Sequence, residues 1–282
     1  MPHEIGFVQQ SGTQPGQLAH HLMLEKIMDF ATGNGWTLLR YDTTAAKREL
    51  ILKAPGISGT EEIYIGFKTY QDENADYYNL LVAGFTGYVA GNTFDTQPGA
   101  VLSGVPAHNQ RIDYWLTING QRLVLAMKVG TPVYEVCYIG KCLPYGRPTQ
   151  YPYPLVCAGM LNGETATRFS EQTHTTPFKG NRANLKLRTN DGWKQPYAFP
   201  WGNSATTTTR QLRDTDGVYH LLPIELHDNT ANIWGALDGV YYVSGFDNVV
   251  ENNLILDGVT YIVIQDVWRT SHTDFVAIRM DT

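Results

Sequence analysis

The sequence predicts a mainly β protein, in which antiparallel hairpins pack as a sandwich or barrel-like core with one N-terminal amphipathic helix and long irregular loops. Three observations lead to this fold class. Apolar residues alternate with a period of two in many segments after residue 36, Asn-Gly and Asp-Gly pairs separate several of these runs, and tyrosine dominates an aromatic content of 12%. The 282 residues are enough for one large domain or two ordinary ones.

The N-terminal helix is predicted between Gln17 and Ala31. Its apolar residues recur at a spacing of about 3.6, the period of an α-helix. Pro15-Gly16 precedes the segment, and Gly33 and Gly35 follow it, so both ends carry residues that favour helix boundaries. We therefore expect one face of this helix to pack on the core.

Three strands are predicted directly after the helix, at 36–41, 49–53 and 61–70. The apolar period changes to two in these segments, and turn-forming residues separate them. A helix followed by a β-meander is the resulting pattern.

Hairpins are predicted where Asn-Gly or Asp-Gly lies between alternating runs. Asn119-Gly120 divides Arg111–Lys128 into two strands, and the pair suits the positive φ angles of a type I′ turn. Asp238-Gly239 and Asp257-Gly258 predict two further hairpins by the same argument. A last strand, Phe275–Met280, is expected to close the sheet.

The predicted organisation has three regions. Residues 1–160 form a domain of the helix and a β-meander. Residues 161–217 are rich in Asn, Thr, Gly and Arg with poor apolar periodicity, which predicts an extended arm or long loop region. Residues 218–282 form a β-hairpin region, which is either separate or part of the same sheet core.

Two segments combine aromatic residues with prolines. Lys141–Leu155 contains four prolines, and a second segment of this kind follows residue 192. Proline fixes φ and removes a backbone donor, so such segments are extended and lose little entropy when they bind a surface. They serve either as contacts to a partner or as caps on the protein's own core, and the sequence leaves both open. The predicted interface residues are Tyr145, Tyr151, Tyr153, Trp193, Tyr197, Phe199 and Trp201.

Composition excludes several classes of function. A net charge of −6 argues against specific contact with nucleic acid, which requires clustered basic residues. Cys137, Cys142 and Cys157 form no Cys-x-x-Cys pair, which favours reduced thiols in a reducing compartment over a disulfide framework. The sequence has neither the pattern of a signal peptide nor a run of about eighteen apolar residues, so neither secretion nor a membrane span is predicted.

The sequence also predicts no catalytic residues, metal or cofactor. It lacks Gly-x-Ser-x-Gly, Gly-x-Gly-x-x-Gly, a Walker loop and His-Glu-x-x-His. Glu225 and His227 lie two apart on one predicted strand face and, with His220, meet the minimum geometry for a metal site, although a polar strand end is the favoured interpretation. His20-His21 in the helix point about 100° apart, so a solvated helix face is expected there.

An acidic cluster follows the third predicted strand at Asp72, Glu73 and Asp76. Paired carboxylates can hydrolyse glycosides, and neighbouring tyrosines could form a carbohydrate platform. Acidic residues between strands are also ordinary turn residues, and a turn is the favoured interpretation.

Several patterns of glycine, proline and aromatic residues resemble virion structural proteins of tailed bacteriophages and prophages. They include Asn34-Gly-Trp-Thr-Leu38, Glu49-Leu-Ile-Leu-Lys-Ala-Pro-Gly56 and Ile63-Tyr-Ile-Gly-Phe67. The resemblance continues through Gln150-Tyr-Pro-Tyr-Pro-Leu155 and Gly258–Met280, and it covers most of the chain except 161–217.

The resemblance implies a non-enzymatic subunit of the phage tail, at the neck (connector) or the baseplate. The expected partners are other tail proteins and copies of itself in a ring, and the expected location is the virion tail after assembly in the host bacterial cytoplasm. Two alternatives stay open: a receptor- or carbohydrate-binding tail module, and a glycan-cleaving enzyme that uses Asp72 or Asp76 with Glu225.

Overall fold

A computed structural model of the protein describes residues 2–10, 17–146, 154–180 and 182–280. Within these ranges, twenty strands form three antiparallel sheets, accompanied by two α-helices and two short 3₁₀ turns. The predicted fold class is confirmed, because the chain is mainly antiparallel β with one long helix near its N-terminus.

The elements in chain order are β1 (His3–Gln9), α1 (Ala19–Gly33), β2 (Thr37–Asp42), β3 (Glu49–Ala54), β4 (Ile63–Asp72), β5 (Tyr77–Phe85), β6 (Val101–Val105), β7 (Arg111–Ile118), β8 (Arg122–Gly130), β9 (Val133–Lys141), β10 (Leu143–Pro144), β11 (Leu155–Ala158), β12 (Leu161–Asn162), β13 (Leu185–Thr189), β14 (Gly192–Lys194), β15 (Tyr197–Phe199), α2 (Ser204–Thr208), β16 (Leu222–His227), β17 (Ile233–Tyr242), β18 (Asn253–Leu256), β19 (Val259–Gln265) and β20 (Phe275–Arg279). The first sheet has the order β1-β7-β8-β9-β11-β13-β14, and the second has the order β12-β6-β5-β4-β3-β2. The third has the order β15-β16-β17-β20-β19-β18, with β10 paired to β17.

The predicted helix is confirmed as α1, which starts and ends two residues later than expected. Its apolar stripe, including Met23, Leu24 and Ile27, is fully buried against β1, β4 and β7. Burying each of these side chains contributes about 1.5–3 kcal/mol, so packing rather than capping holds the helix.

The first and second sheets pack face to face as a sandwich, with β5 and β6 lying on β9 and β11. Cys157 of β11 is buried in this interface, with its Sγ 3.6 Å from the carbonyl oxygen of Val82. Gly84 lies beneath the Trp193 ring, and a Cβ at that position would lie 3.0 Å from the ring. The interface is thus filled with small and large residues that complement one another.

The third sheet shares the main hydrophobic cluster with the other two through residues such as Ile224, Leu237 and Ile262. A buried polar contact joins it to the first sheet. The Arg122 side chain of β8 is fully buried, with its Nε 3.6 Å from Oδ2 of Asp238 in β17.

The hairpin prediction at Asp238-Gly239 is wrong, because β17 runs through both residues as one continuous strand. Gly239 does have the positive φ of +74° that its sequence pattern indicates. The chain does not reverse at Gly239. Instead, Gly239 lies directly beneath the Arg122 guanidinium, because a Cβ there would lie 2.3 Å from Nη2 of Arg122.

The other two hairpins are confirmed with one difference in turn type. Asp257-Gly258 joins β18 to β19 with φ angles of +50° and +78°, as a type I′ turn requires. Asn119-Gly120 joins β7 to β8, but neither residue has a positive φ. Instead, Oδ1 of Asn119 accepts hydrogen bonds from the backbone N–H groups of Gln121 and Arg122, which makes an Asx turn.

Residues 161–217, predicted as an arm or long loop, are part of the sheet framework. The region contributes β12 to the second sheet, β13 and β14 to the first, and β15 to the third. Its strands are only two to five residues long, so their pairing depends on distant partners instead of on a strong local pattern. The sequence also failed to predict β1, which pairs with β7 along its full length.

Candidate interaction surface

Exposed and partly buried side chains, mostly aromatic, converge at one corner of the third sheet, where β10, β15, β16 and the start of β17 meet. We call this group the corner surface, and its members are Tyr145, Tyr197, Phe199, Glu225, His227 and Ile233. Three of the predicted interface residues, Tyr145, Tyr197 and Phe199, belong to it.

Strand pairing brings the β15 and β16 residues of the corner surface together. Tyr197 lies opposite His227 and Phe199 lies opposite Glu225, whereas Ala198 between them is buried. Side chains two apart share a face of a strand, so these four point to the same side of the sheet. The Tyr197 and His227 rings stack with centroids 5.7 Å apart.

Tyr145 is held at the corner surface by both its backbone and its side chain. Its N–H donates to the carbonyl oxygen of Trp234 at 3.0 Å, and its hydroxyl donates to Oε1 of Glu225 at 2.7 Å. Burial of the hydroxyl and the hydrogen bond to Glu225 raise the pKa of Tyr145 to about 12. The ring is therefore fixed in place although 55% of the residue is exposed.

Ile233 begins β17 beside His227 and is 53% exposed. A hollow of about 360 Å³ lies next to it, lined by Phe199, Glu225, His227 and the loop 229–233. Oδ1 of Asp228 accepts three backbone hydrogen bonds from that loop, which hold the pKa of Asp228 below its usual value and fix the rim. Adjacent exposed apolar residues around a rigid hollow favour binding of another molecule.

The remaining predicted interface residues have different positions. Trp193 lies between the first two sheets and donates from Nε1 to the carbonyl oxygen of Gly99 at 2.8 Å. Trp201 packs on the main cluster, edge-to-face with Tyr242 at 5.0 Å, and donates from Nε1 to Thr273 O at 2.8 Å. Each tryptophan thus contacts the protein's own core. Tyr151 and Tyr153 lie outside the described residues.

The residues considered for a metal site are only partly brought together. Glu225 and His227 share a strand face, as predicted, whereas His220 is an exposed residue of the segment before β16. Nδ1 of His227 accepts from the N–H of Asn229 at 3.0 Å. In the part of the chain that the structure describes, no group of three His, Cys, Asp or Glu side chains is arranged to hold a metal ion.

The prediction of a solvated helix face at His20-His21 is wrong, because both residues are buried, with exposures of 0% and 4%. Nε2 of each ring lies within hydrogen-bond distance of Oε1 of Gln71, at 2.7 Å and 3.1 Å. Burial, and then the neighbouring His21, lower the pKa of His20 to about 3, so this ring is neutral. The apolar stripe of the helix is wide enough that the adjacent rings both face β4.

The acidic cluster forms the turn between β4 and β5, which confirms the favoured interpretation. Oδ1 of Asp72 accepts hydrogen bonds from the N–H groups of Asn74 and Ala75, and Asp76 has a φ of +54°. Asp76 also pairs with Arg168. Glu225 belongs to a different sheet, where its carboxylate holds Tyr145.

Sequence reasoning missed a buried polar cluster formed by β9 of the first sheet, the segment around His174 and the residue after β19. Glu135 of β9 and His174 are buried together, with Oε1 of Glu135 2.6 Å from Nε2 of His174. Asp266 lies nearby and accepts from the N–H of Thr176 at 2.6 Å. Glu135 was detectable in principle, since it is a lone acid in the otherwise apolar run Val133–Ile139.

No protein-family model matches the chain, and no similar curated protein was found. Within the described ranges, no helix has both the length and the hydropathy needed to cross a membrane.

Proposed function

We propose that the protein is a non-enzymatic structural subunit of a tailed-phage virion, which assembles into the tail machinery at the neck (connector) or the baseplate. The observation that carries this proposal is the corner surface, where fixed aromatic and aliphatic side chains face solvent on a rigid sheet. The resemblance of the glycine, proline and aromatic patterns to phage virion proteins supplies the biological setting.

The corner surface has the properties of a protein-binding site. Tyrosine and other aromatic residues dominate the energy of protein interfaces, and they contribute most when they are held rigid before binding. The two hydrogen bonds of Tyr145 and the stacked rings of Tyr197 and His227 provide that rigidity. The partners are other tail proteins and copies of the chain in a ring, without a cofactor, a membrane or specific nucleic-acid contact.

A receptor- or carbohydrate-binding tail module is the second candidate. The hollow beside Phe199 favours it, because aromatic rings can stack on a sugar while a neighbouring carboxylate such as Glu225 accepts hydrogen bonds from its hydroxyl groups. Titration of the isolated chain with host-surface saccharides distinguishes the two. Saturable binding that Phe199→Ala abolishes would favour the module over the structural subunit.

The proposed function is tested by complementation of a phage from which the gene is deleted. We expect the double variant Tyr197→Ala/Ile233→Ala to lower the yield of complete tailed particles by at least about tenfold, because it removes apolar anchors of the interface. The melting temperature should fall by no more than a few degrees, since neither side chain belongs to the buried core.

The matched control is Ile255→Ala, which removes an isoleucine that is 70% exposed at the opposite edge of the third sheet. This control should restore particles as well as the wild type does. A normal particle yield from the double variant would contradict the assignment of the corner surface as an assembly interface.

A further inference from the structure

The strand β1 forms one edge of the first sheet, and in the described ranges β7 is its paired neighbour. The carbonyl oxygen of Pro2 accepts from the N–H of Ile118, and the N–H of Gln10 donates to the carbonyl oxygen of Gln110. Hydrogen-bonded pairs alternate along an antiparallel ladder, so the even-numbered residues of β1 bond to β7. The odd-numbered residues direct their N–H and C=O groups away from the sheet.

This outer edge carries an apolar pair. Ile5 is 58% exposed and Phe7 is 56% exposed, and the two lie on one face of the strand. The guanidinium of Arg111 covers part of the Phe7 ring at 4.2 Å. Neither of these two apolar side chains is buried in the protein's own core.

Proteins usually protect an edge strand with lysine, proline, a bulge or an inward charge. The segment His3–Gln9 contains no lysine or proline, and its register with β7 has no shift. Its one acid, Glu4, lies on the other face, where it accepts from the Tyr114 hydroxyl at 2.6 Å and pairs with Lys26 at 3.3 Å. The edge is therefore suited to pairing with another strand.

We propose that β1 pairs antiparallel with β1 of a second copy of this chain, about a twofold axis at Gly6. The residues whose backbone groups point away from the sheet are, in order, polar His3, apolar Ile5, apolar Phe7 and polar Gln9. This order is the same in both directions, as a self-complementary interface requires.

In the proposed register, Ile5 lies opposite Phe7 of the second copy, and His3 lies opposite Gln9. All outward backbone groups then meet in hydrogen-bonded pairs, which gives about eight new backbone hydrogen bonds. Glu4 lies opposite Val8, so no like charges face each other. The same strand in a second copy necessarily presents this symmetric order in the opposite direction, which favours a second copy as the occupant.

The pairing does not depend on the proposed function, because it concerns a different surface. It is tested with the purified full chain after its purification tag has been removed. Sedimentation velocity over a wide concentration range should show a dimer that Ile5→Lys weakens by at least about tenfold, since a lysine on the strand edge would face Phe7 of the second copy. Ile255→Lys, at another exposed strand edge, should leave the dimer unchanged.

Hydrogen exchange of the wild type gives a second measurement that needs no variant. The peptide covering residues 2–10 should exchange more slowly at high than at low protein concentration. A chain that is monomeric at all concentrations, or a dimer that persists in Ile5→Lys with no concentration-dependent protection of β1, would overturn the proposal.

Discussion

Replacement of Gly239 by alanine tests how the first and third sheets are joined. Gly239 lies within β17 at a φ of +74°, and a Cβ there would lie 2.3 Å from Nη2 of Arg122. The Arg122 side chain has no exposed surface, and its Nη1 donates to Oγ1 of Thr117 at 3.3 Å. The new methyl group must therefore displace the buried guanidinium.

The expected loss of stability has two parts. The left-handed φ costs a non-glycine residue about 1–2 kcal/mol. Overpacking at the guanidinium adds about 1–3 kcal/mol. We expect Gly239→Ala to lower the free energy of unfolding by about 2–5 kcal/mol in total.

Gly258→Ala is the matched control. Gly258 has a similar φ of +78°, but no atom lies within 4 Å of its added Cβ. This variant should show only the backbone cost of about 1–2 kcal/mol.

Both variants are measured by urea unfolding followed through tryptophan fluorescence. The comparison is repeated with Arg122→Met, which removes the guanidinium, and the excess cost of Gly239→Ala over Gly258→Ala should then largely disappear. Equal losses for the two alanine variants, or an excess that persists without the guanidinium, would refute the steric argument.

Two further predictions concern buried titratable groups. Burial raises the pKa of Glu135 to about 7, so its contribution to stability is complete at low pH and is lost as the pH rises from about 4.5 to 7. Glu135→Gln should remove roughly 2–3 kcal/mol of this pH dependence, as measured by urea unfolding at pH 5 and pH 8, and an unchanged slope would contradict the burial argument. Burial raises the pKa of the Cys137 and Cys142 thiols to about 12 and raises that of Cys157 further. None of these three should react with a thiol reagent at pH 8 until the chain is unfolded, and a rapid reaction of the native protein would show that the thiols are accessible.

Sequence patterns predicted the elements whose signals are local. The helix α1 has a strong period, and Asp257-Gly258 lies between two alternating runs with nothing else competing for its glycine. Asp238-Gly239 carries the same dipeptide signal, yet β17 continues through it beside a side chain more than a hundred positions earlier in the chain. No local pattern records that contact with Arg122, so the hairpin prediction failed there.

The corner surface was only partly predictable for the same reason. Aromatic and proline content pointed to Tyr145, Tyr197 and Phe199, because composition is visible in the sequence. The exposure of Ile233 and the packing of Trp193 and Trp201 on the protein's own core depend on which strands pair, and long-range pairing of short strands leaves little trace in one sequence.

The most direct test of the proposed function is the location of the chain in a purified phage particle. The chain is labelled at its C-terminus with gold, and particles are imaged by electron microscopy. The proposal predicts label at one fixed position in the tail, at the neck or the baseplate. Particles without label, together with a chain that stays free in the lysate, would contradict a structural role in the virion.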